Sequence, residues 1–114
     1  NEIESMSIIG DVSGRDVVLI DDICDTARTL AKAAELIMEN GANSVRAVCT
    51  HPVLSGDAYK TIEKSALAEM IVTDTIASRK TSPKIKVLST ADLFSRAIAN
   101  VNEHGSMSAL FNID

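Results

Sequence analysis

Three carboxylates and two hydroxyls crowd the stretch from position 21 to position 29: Asp21, Asp22, Asp25, Thr26 and Thr29. They follow the apolar run Val17-Val18-Leu19-Ile20 and precede a helical pattern that starts with Leu30. Asp21 and Asp22 are consecutive at a strand end, so their side chains point to opposite faces and at most one meets a given ligand directly. Asp25 falls where the helix is expected to begin. Thr26 and Thr29 surround that helix N-terminus with hydroxyls and free backbone amides, which favours an anion. Carboxylates next to a phosphate nest make little sense for phosphate alone, because like charges repel. A ligand bearing both hydroxyls and a phosphate resolves the conflict: the acids accept hydrogen bonds from the hydroxyls and the amides hold the phosphate. A sugar phosphate has that form, and a divalent cation on it would offset charge further. The plainer alternative is a helix cap at Asp25 or Thr26 beside two solvated aspartates.

The elements that must position this loop read in order along the chain. Ile3, Met6, Ile8 and Ile9 form an extended, imperfectly alternating apolar segment, and Gly10 to Gly14 is turn chemistry. Val17 to Ile20 is short, continuous and β-branched, as a strand buried on both faces would be. Leu30, Ala33, Ala34, Ile37 and Met38 recur at helical spacing up to Asn40-Gly41, where glycine serves the left-handed position after a helix. Ser44 to Thr50 reads as the next strand, ending at His51-Pro52. Strand, helix and strand in this order make a right-handed βαβ unit with its site at the strand C-termini.

A looser repetition of the rhythm follows. Ser55-Gly56-Asp57 precedes a helix carrying Ala58, Ile62 and Ala66; Glu69 to Thr73 is a third strand ending at Asp74-Thr75. The segment Ile76 to Lys84, with Arg79, Lys80 and Pro83, reads as a solvated connector. Ile85 to Leu88 is a short strand, and Ser89 or Thr90 caps a helix with Leu93, Phe94, Ala97, Ile98 and Val101 on one face. Gly105 ends it, and the apolar tail from Ser106 to Phe111 should dock on something. The expectation is one α/β domain with three layers and a mainly parallel sheet, Rossmann-like in outline.

Bulk properties narrow the class. The 114 residues suffice for one domain with one modest core, and 46% of them are hydrophobic, which excludes a disordered chain. A formal charge of −5 argues against a nucleic-acid surface. No apolar run is long enough to span a bilayer and the N-terminus lacks signal-peptide regions, so no membrane partner is expected. Cys24 and Cys49 are too sparse for a disulfide framework or a zinc site, which points to a reduced cytoplasmic setting. The chain begins at Asn1 inside a plausible strand, and a piece of a longer protein is expected.

Two other phosphate chemistries also place acids after a strand. A receiver domain needs a strand ending in Lys beyond its hydroxyl-bearing strand; after Thr90 there is only a helix and a tail. A haloacid-dehalogenase-type phosphatase needs two aspartates with one residue between them, whereas Asp22 and Asp25 have two. Both fail on spacing.

The run Val17 to Leu30 resembles instead the phosphoribosyl-pyrophosphate motif of type I phosphoribosyltransferases. Its flanks are similar to the ribose-phosphate pyrophosphokinase family: Ile8-Ile9-Gly10-Asp11-Val12 with Gly14-Arg15-Asp16, Thr50-His51-Pro52 with Ser55-Gly56, Asp74-Thr75-Ile76, and the ending Ser106 to Phe111. The resemblance covers almost the whole chain and corresponds to the C-terminal half of such an enzyme, with a phosphoribosyltransferase-like fold. It implies transfer of pyrophosphate from ATP to ribose 5-phosphate for nucleotide biosynthesis, with Mg2+ as cofactor.

By the same resemblance, Asp21 and Asp25 face the ribose hydroxyls, and Thr26, Ala27, Arg28 and Thr29 form the 5-phosphate loop; Asp22 has a supporting role. Ser106 and Ser108 resemble serines that bind regulatory phosphate or ADP at a subunit interface, in a homo-oligomer, often a hexamer. The nucleotide loops, the metal ligands and the basic catalytic loop belong to the other half, so no catalytic or metal-binding residue is assigned here and the chain alone is expected to be inactive. Arg28 departs from the pattern, which has glycine there; a residue needing positive φ at that position would strain the loop. His51 is read as a positioning or packing residue as readily as a proton carrier, Cys24 as a small core-facing filler, and His104 as exposed. A non-catalytic regulatory homologue and a nucleobase phosphoribosyltransferase are the competing readings.

Overall fold

The computed structural model describes residues 6–78 and 80–111. Four strands, β1 (Asp16–Cys24), β2 (Ser44–Pro52), β3 (Glu69–Thr73) and β4 (Ile85–Leu88), pair in sequential order as one sheet. All three pairings are parallel, with Val17 opposite Val45, Ala47 opposite Met70 and Val72 opposite Val87. Helix α1 (Arg28–Glu39) connects β1 to β2 and α2 (Ala58–Lys64) connects β2 to β3. Crossovers of one hand that advance in one direction leave their helices on one face of a sheet, and α1 and α2 do contact each other. Helix α3 (Ala91–Asn102) follows β4, and a short 3-10 turn (Ser108–Phe111) packs against it.

The core lies between the sheet and the first two helices. Val45, Ala47 and Cys49 of β2 alternate inward with Met70 and Val72 of β3, and meet Ala34 and Ile37 of α1 and Ala58 and Ile62 of α2. Burying a side chain the size of Ile62 or Met70 contributes roughly 1.5–3 kcal/mol. Helix α1 stops as its sequence implied: Asn40 caps it and Gly41 follows at φ +90°, a conformation that disfavours any side chain, with Ser13 close by.

Several expectations need correction. Val17 to Ile20 is not buried on both faces: Val18 and Ile20 are 54% and 83% exposed. Both crossover helices lie on the other face, so the described residues form the sheet and one helical layer but no third layer over Val18, Ile20 and Val48. The same open face carries the ion pairs of Glu69 with Arg46 (3.4 Å) and Lys86 (3.2 Å). Met6 to Ile9 is not a strand; Ile3 and Arg79 lie outside the described residues. Ala66 falls beyond the end of α2. The apolar face of α3 is formed but unburied, with Phe94 and Ile98 exposed, and of the expected docking only the contact of the terminal turn with α3 is present.

Candidate functional site

β1 runs on through both aspartates to Cys24, so Asp21 and Asp22 belong to the strand and only Asp25, Thr26 and Ala27 separate it from α1. Helix α1 therefore starts at Arg28, later than Asp25. Neither Asp25 nor Thr26 caps it: the capping position is Ala27, with no side-chain hydrogen bond. The first-turn amides of α1, Arg28 to Leu30, thus have neither an intrahelical acceptor nor a side-chain cap, and the positive end of the helix is left facing the loop.

Asp21, Asp25, Thr26, Ala27, Arg28 and Thr29 come together around one depression of about 220 Å³, with Ile23, Cys24 and Leu30 completing its walls. Asp22 is not among them, as expected for neighbours on opposite sides of a strand. Each aspartate also serves the backbone locally: Asp21 accepts from the amide of Asp22 and Asp22 from that of Ile23, both at 2.8 Å. Asp25 is held from a second loop. Its carboxylate accepts from the Ser55 hydroxyl, its carbonyl accepts from the Ser55 amide (3.0 Å), and the Cys24 carbonyl accepts from the Leu54 amide (3.1 Å). No carboxylate in the cluster has an ion-pair partner among the described residues.

The strain anticipated at Arg28 is located one residue earlier. Ala27 has φ 65° and is 5% exposed, while Arg28 is the first helical residue and is exposed. The guanidinium therefore needs no unusual backbone. Arg28 also borders a larger groove of about 640 Å³ between α1 and α2, shared with Lys32, Glu35 and Lys64. Lys32 there is already paired with Glu35 at 3.3 Å.

Below the loop, Cys24 and Cys49 are free, buried thiols. Burial is the main cause that pushes Cys24 up to about 11, with Cys49 and then Asp21 adding to it. Burial is likewise the main cause that raises Cys49, whose thiol lies 3.5 Å from the His51 carbonyl. Both are neutral packing groups under the acidic loop.

At the neighbouring strand ends, Asp74 accepts from the Thr90 hydroxyl (2.5 Å) and amide (2.8 Å), and these bonds hold its carboxyl below the usual range. Asp74 thereby fixes the start of α3, while the Ser89 hydroxyl accepts from the Ala91 amide (3.2 Å). His51 Nδ1 lies 2.8 Å from the Thr75 hydroxyl. Both residues stand in stretches that the sequence reading singled out, but their contact escaped it because they are 24 residues apart. Ser106 and Ser108 hydroxyls are 3.0 Å from each other, far from the loop in sequence and beside α3, and both residues are exposed. His104 is exposed as read.

A family model described as the phosphoribosyl synthetase-associated domain matches residues 1–112. The ribose-phosphate pyrophosphokinase of Wolinella succinogenes is 56% identical over 111 residues, covering 97% of this chain and 36% of its own length. That of Helicobacter hepaticus is 55% identical with the same coverage. Among solved structures, phosphoribosylpyrophosphate synthetase from Mycobacterium smegmatis superposes with a TM-score of 0.86 at 38% identity, over 91% of this chain and 36% of that one. The chain thus spans about a third of the length of these relatives. Such a share carries no position within them, so the expected placement in the C-terminal half gains no support from it.

Proposed function

The chain belongs to the phosphoribosyl synthetase-associated domain family, and on that premise we propose that it is the ribose 5-phosphate-binding part of a ribose-phosphate pyrophosphokinase. The observation that carries the reading is the single depression in which Asp21 and Asp25 meet the uncapped start of α1. Asp21 and Asp25 accept hydrogen bonds from the ribose hydroxyls. The amides of Arg28 to Leu30, with the hydroxyls of Thr26 and Thr29, receive the 5-phosphate, where the helix dipole adds to the attraction. Arg28 adds a cation at the rim, which suits a phosphate better than the acidic loop would alone.

In the reaction so proposed, the 1-hydroxyl oxygen of the sugar attacks the β-phosphorus of ATP. The bond between the β-phosphorus and the bridging oxygen breaks, AMP leaves, and the hydroxyl proton is released. The present residues hold the acceptor sugar; the nucleotide is held elsewhere in the full protein. Among the described residues no three metal-ligating side chains converge. The two carboxylates are hard oxygen donors that fit Mg2+ once sugar hydroxyls and phosphate oxygens complete its shell. When bound, the ion neutralises charge on the transferred pyrophosphate. A homo-oligomer, regulatory phosphate or ADP at Ser106 and Ser108, and a cytoplasmic setting are parts of the same proposal.

Titration with ribose 5-phosphate, followed by backbone amide shifts, tests the reading. Shifts at Asp25 to Thr29 that vanish in Asp25→Ala are expected; a saturating response elsewhere, with this loop silent, overturns it. The 114-residue chain by itself should release no AMP from ATP and ribose 5-phosphate, and turnover above background would show that it holds more than the sugar subsite.

A further inference from the structure

His51, the last residue but one of β2, is paired in the register with Ile23, which lines the sugar-phosphate depression, and the Leu54 and Ser55 amides then bind the loop at Cys24 and Asp25. The imidazole is half-buried, with Nδ1 2.8 Å from the Thr75 hydroxyl. Which atom carries the proton follows from the surrounding oxygens. The Thr50 carbonyl, which can only accept, is 2.7 Å from the Thr73 hydroxyl and 3.1 Å from the Thr75 hydroxyl. Each hydroxyl has one proton. If both protons go to the Thr50 carbonyl, Thr75 is left as an acceptor and His51 Nδ1 must donate; three hydrogen bonds form. If His51 carries its proton on Nε2, Thr75 must turn its own toward Nδ1, and the second bond to Thr50 is lost. Of the two neutral forms the larger set favours Nδ1–H, in which Nε2 has a lone pair and no partner among the described residues.

We propose that His51, oriented by Thr75 and the Thr50 carbonyl, is a specificity-determining residue whose Nε2 accepts a hydrogen bond from a hydroxyl of the bound sugar. This rests on the sugar-phosphate reading and adds to it a neutral acceptor one strand away from the carboxylates. Asp21 and Asp25 bring negative charge that also attracts cations. A neutral imidazole nitrogen recognises a hydroxyl proton without adding to the charge opposing the phosphate. A site built to hydrogen-bond a hydroxyl discriminates against an analogue that lacks it, because the acceptor is then left unpaired.

Two measurements on the full-length protein test the proposal. Long-range nitrogen–proton correlation of the ring should show His51 protonated on Nδ1, and Thr75→Val should release it to a mixture of the two forms; Nε2–H in the unmodified protein overturns the orientation. Among the singly deoxygenated analogues of ribose 5-phosphate, the one lacking the hydroxyl that Asp21 and Asp25 do not bind should then bind about tenfold more weakly than ribose 5-phosphate itself, the effect of one hydrogen bond. In His51→Leu that ratio should fall to near one, and His51→Gln, whose amide oxygen can also accept, should restore part of it. An unchanged ratio in His51→Leu, with the amides of Asp25 to Thr29 still responding to the sugar, overturns the role of His51 and leaves the sugar reading intact. No response of those amides to ribose 5-phosphate in the unmodified protein overturns both.

Discussion

Ser55 binds Asp25 twice, its hydroxyl donating to the carboxylate and its amide to the carbonyl, so that the loop after β2 fixes the acid in the loop after β1. One side of the proposed sugar subsite is thus held in place by an element that does not line it. Ser55→Ala removes the hydroxyl bond and keeps the amide one. It should weaken ribose 5-phosphate binding about threefold to tenfold, the range of one hydrogen bond's net contribution. Asp25→Ala removes the ligand contact itself and should weaken binding by about a hundredfold or more. Calorimetric titration of the two variants checks the order; equal losses would mean that Ser55 touches the sugar.

The left-handed residue at the start of α1 gives opposite signs for two neighbouring glycine substitutions. Ala27 pays roughly 1–2 kcal/mol for its positive φ. Ala27→Gly relieves that and loses only one buried methyl, so it should be neutral or stabilising by up to about 1 kcal/mol. Arg28→Gly replaces an exposed helical residue and should cost up to about 1 kcal/mol. Denaturant unfolding of both variants decides, and stabilisation by Arg28→Gly would place the strain at 28 after all.

Asp74 supplies a pH dependence with a definite direction. Its carboxyl titrates below the ordinary 3.8 because the Thr90 hydroxyl and amide bind the charged form. A depressed value in the folded state means that this stabilisation is present above pH 3.8 and is lost as the pH falls through the lower, folded-state value. Amide exchange at Thr90 and Ala91 should therefore accelerate in acid before the sheet amides do. In Asp74→Asn that acid step should disappear.

Much of this architecture can be read from the chain, for identifiable reasons. β3 and β4 lie within short apolar runs bounded by turn residues, and the structure gives Glu69–Thr73 and Ile85–Leu88 as read. That only one of Asp21 and Asp22 joins Asp25 and Thr26 to Thr29 follows from strand alternation and a helix start, whereas the choice of Asp21 was what the resemblance implied. The exact start of α1 does not, because threonine and aspartate mark caps and this helix is entered through a left-handed alanine that no composition signals. The openness of Val18 and Ile20 is equally silent: a β-branched run looks the same whether one face of its sheet is covered or both. The contact of His51 with Thr75 depends on the parallel register of β2 and β3, which only the folded chain reveals.

Cys24 tests the claim that the floor of the site is packing and not chemistry. Burial pushes its thiol up to about 11, so at neutral pH the nucleophilic thiolate is scarce and alkylation by iodoacetamide should be far slower than for a free cysteine. The sign for stability follows from the same shift. An unfolded chain loses this proton near 9, two units earlier than the folded one, so the contribution is complete below pH 9 and is lost as the pH rises toward about 11. Cys24→Ala should flatten that alkaline decline, and it should leave the affinity for ribose 5-phosphate within about twofold, since neither hydroxyl recognition nor phosphate binding uses the sulfur. Fast alkylation of Cys24 at pH 7, blocked by ribose 5-phosphate, would instead make the thiol part of the ligand site.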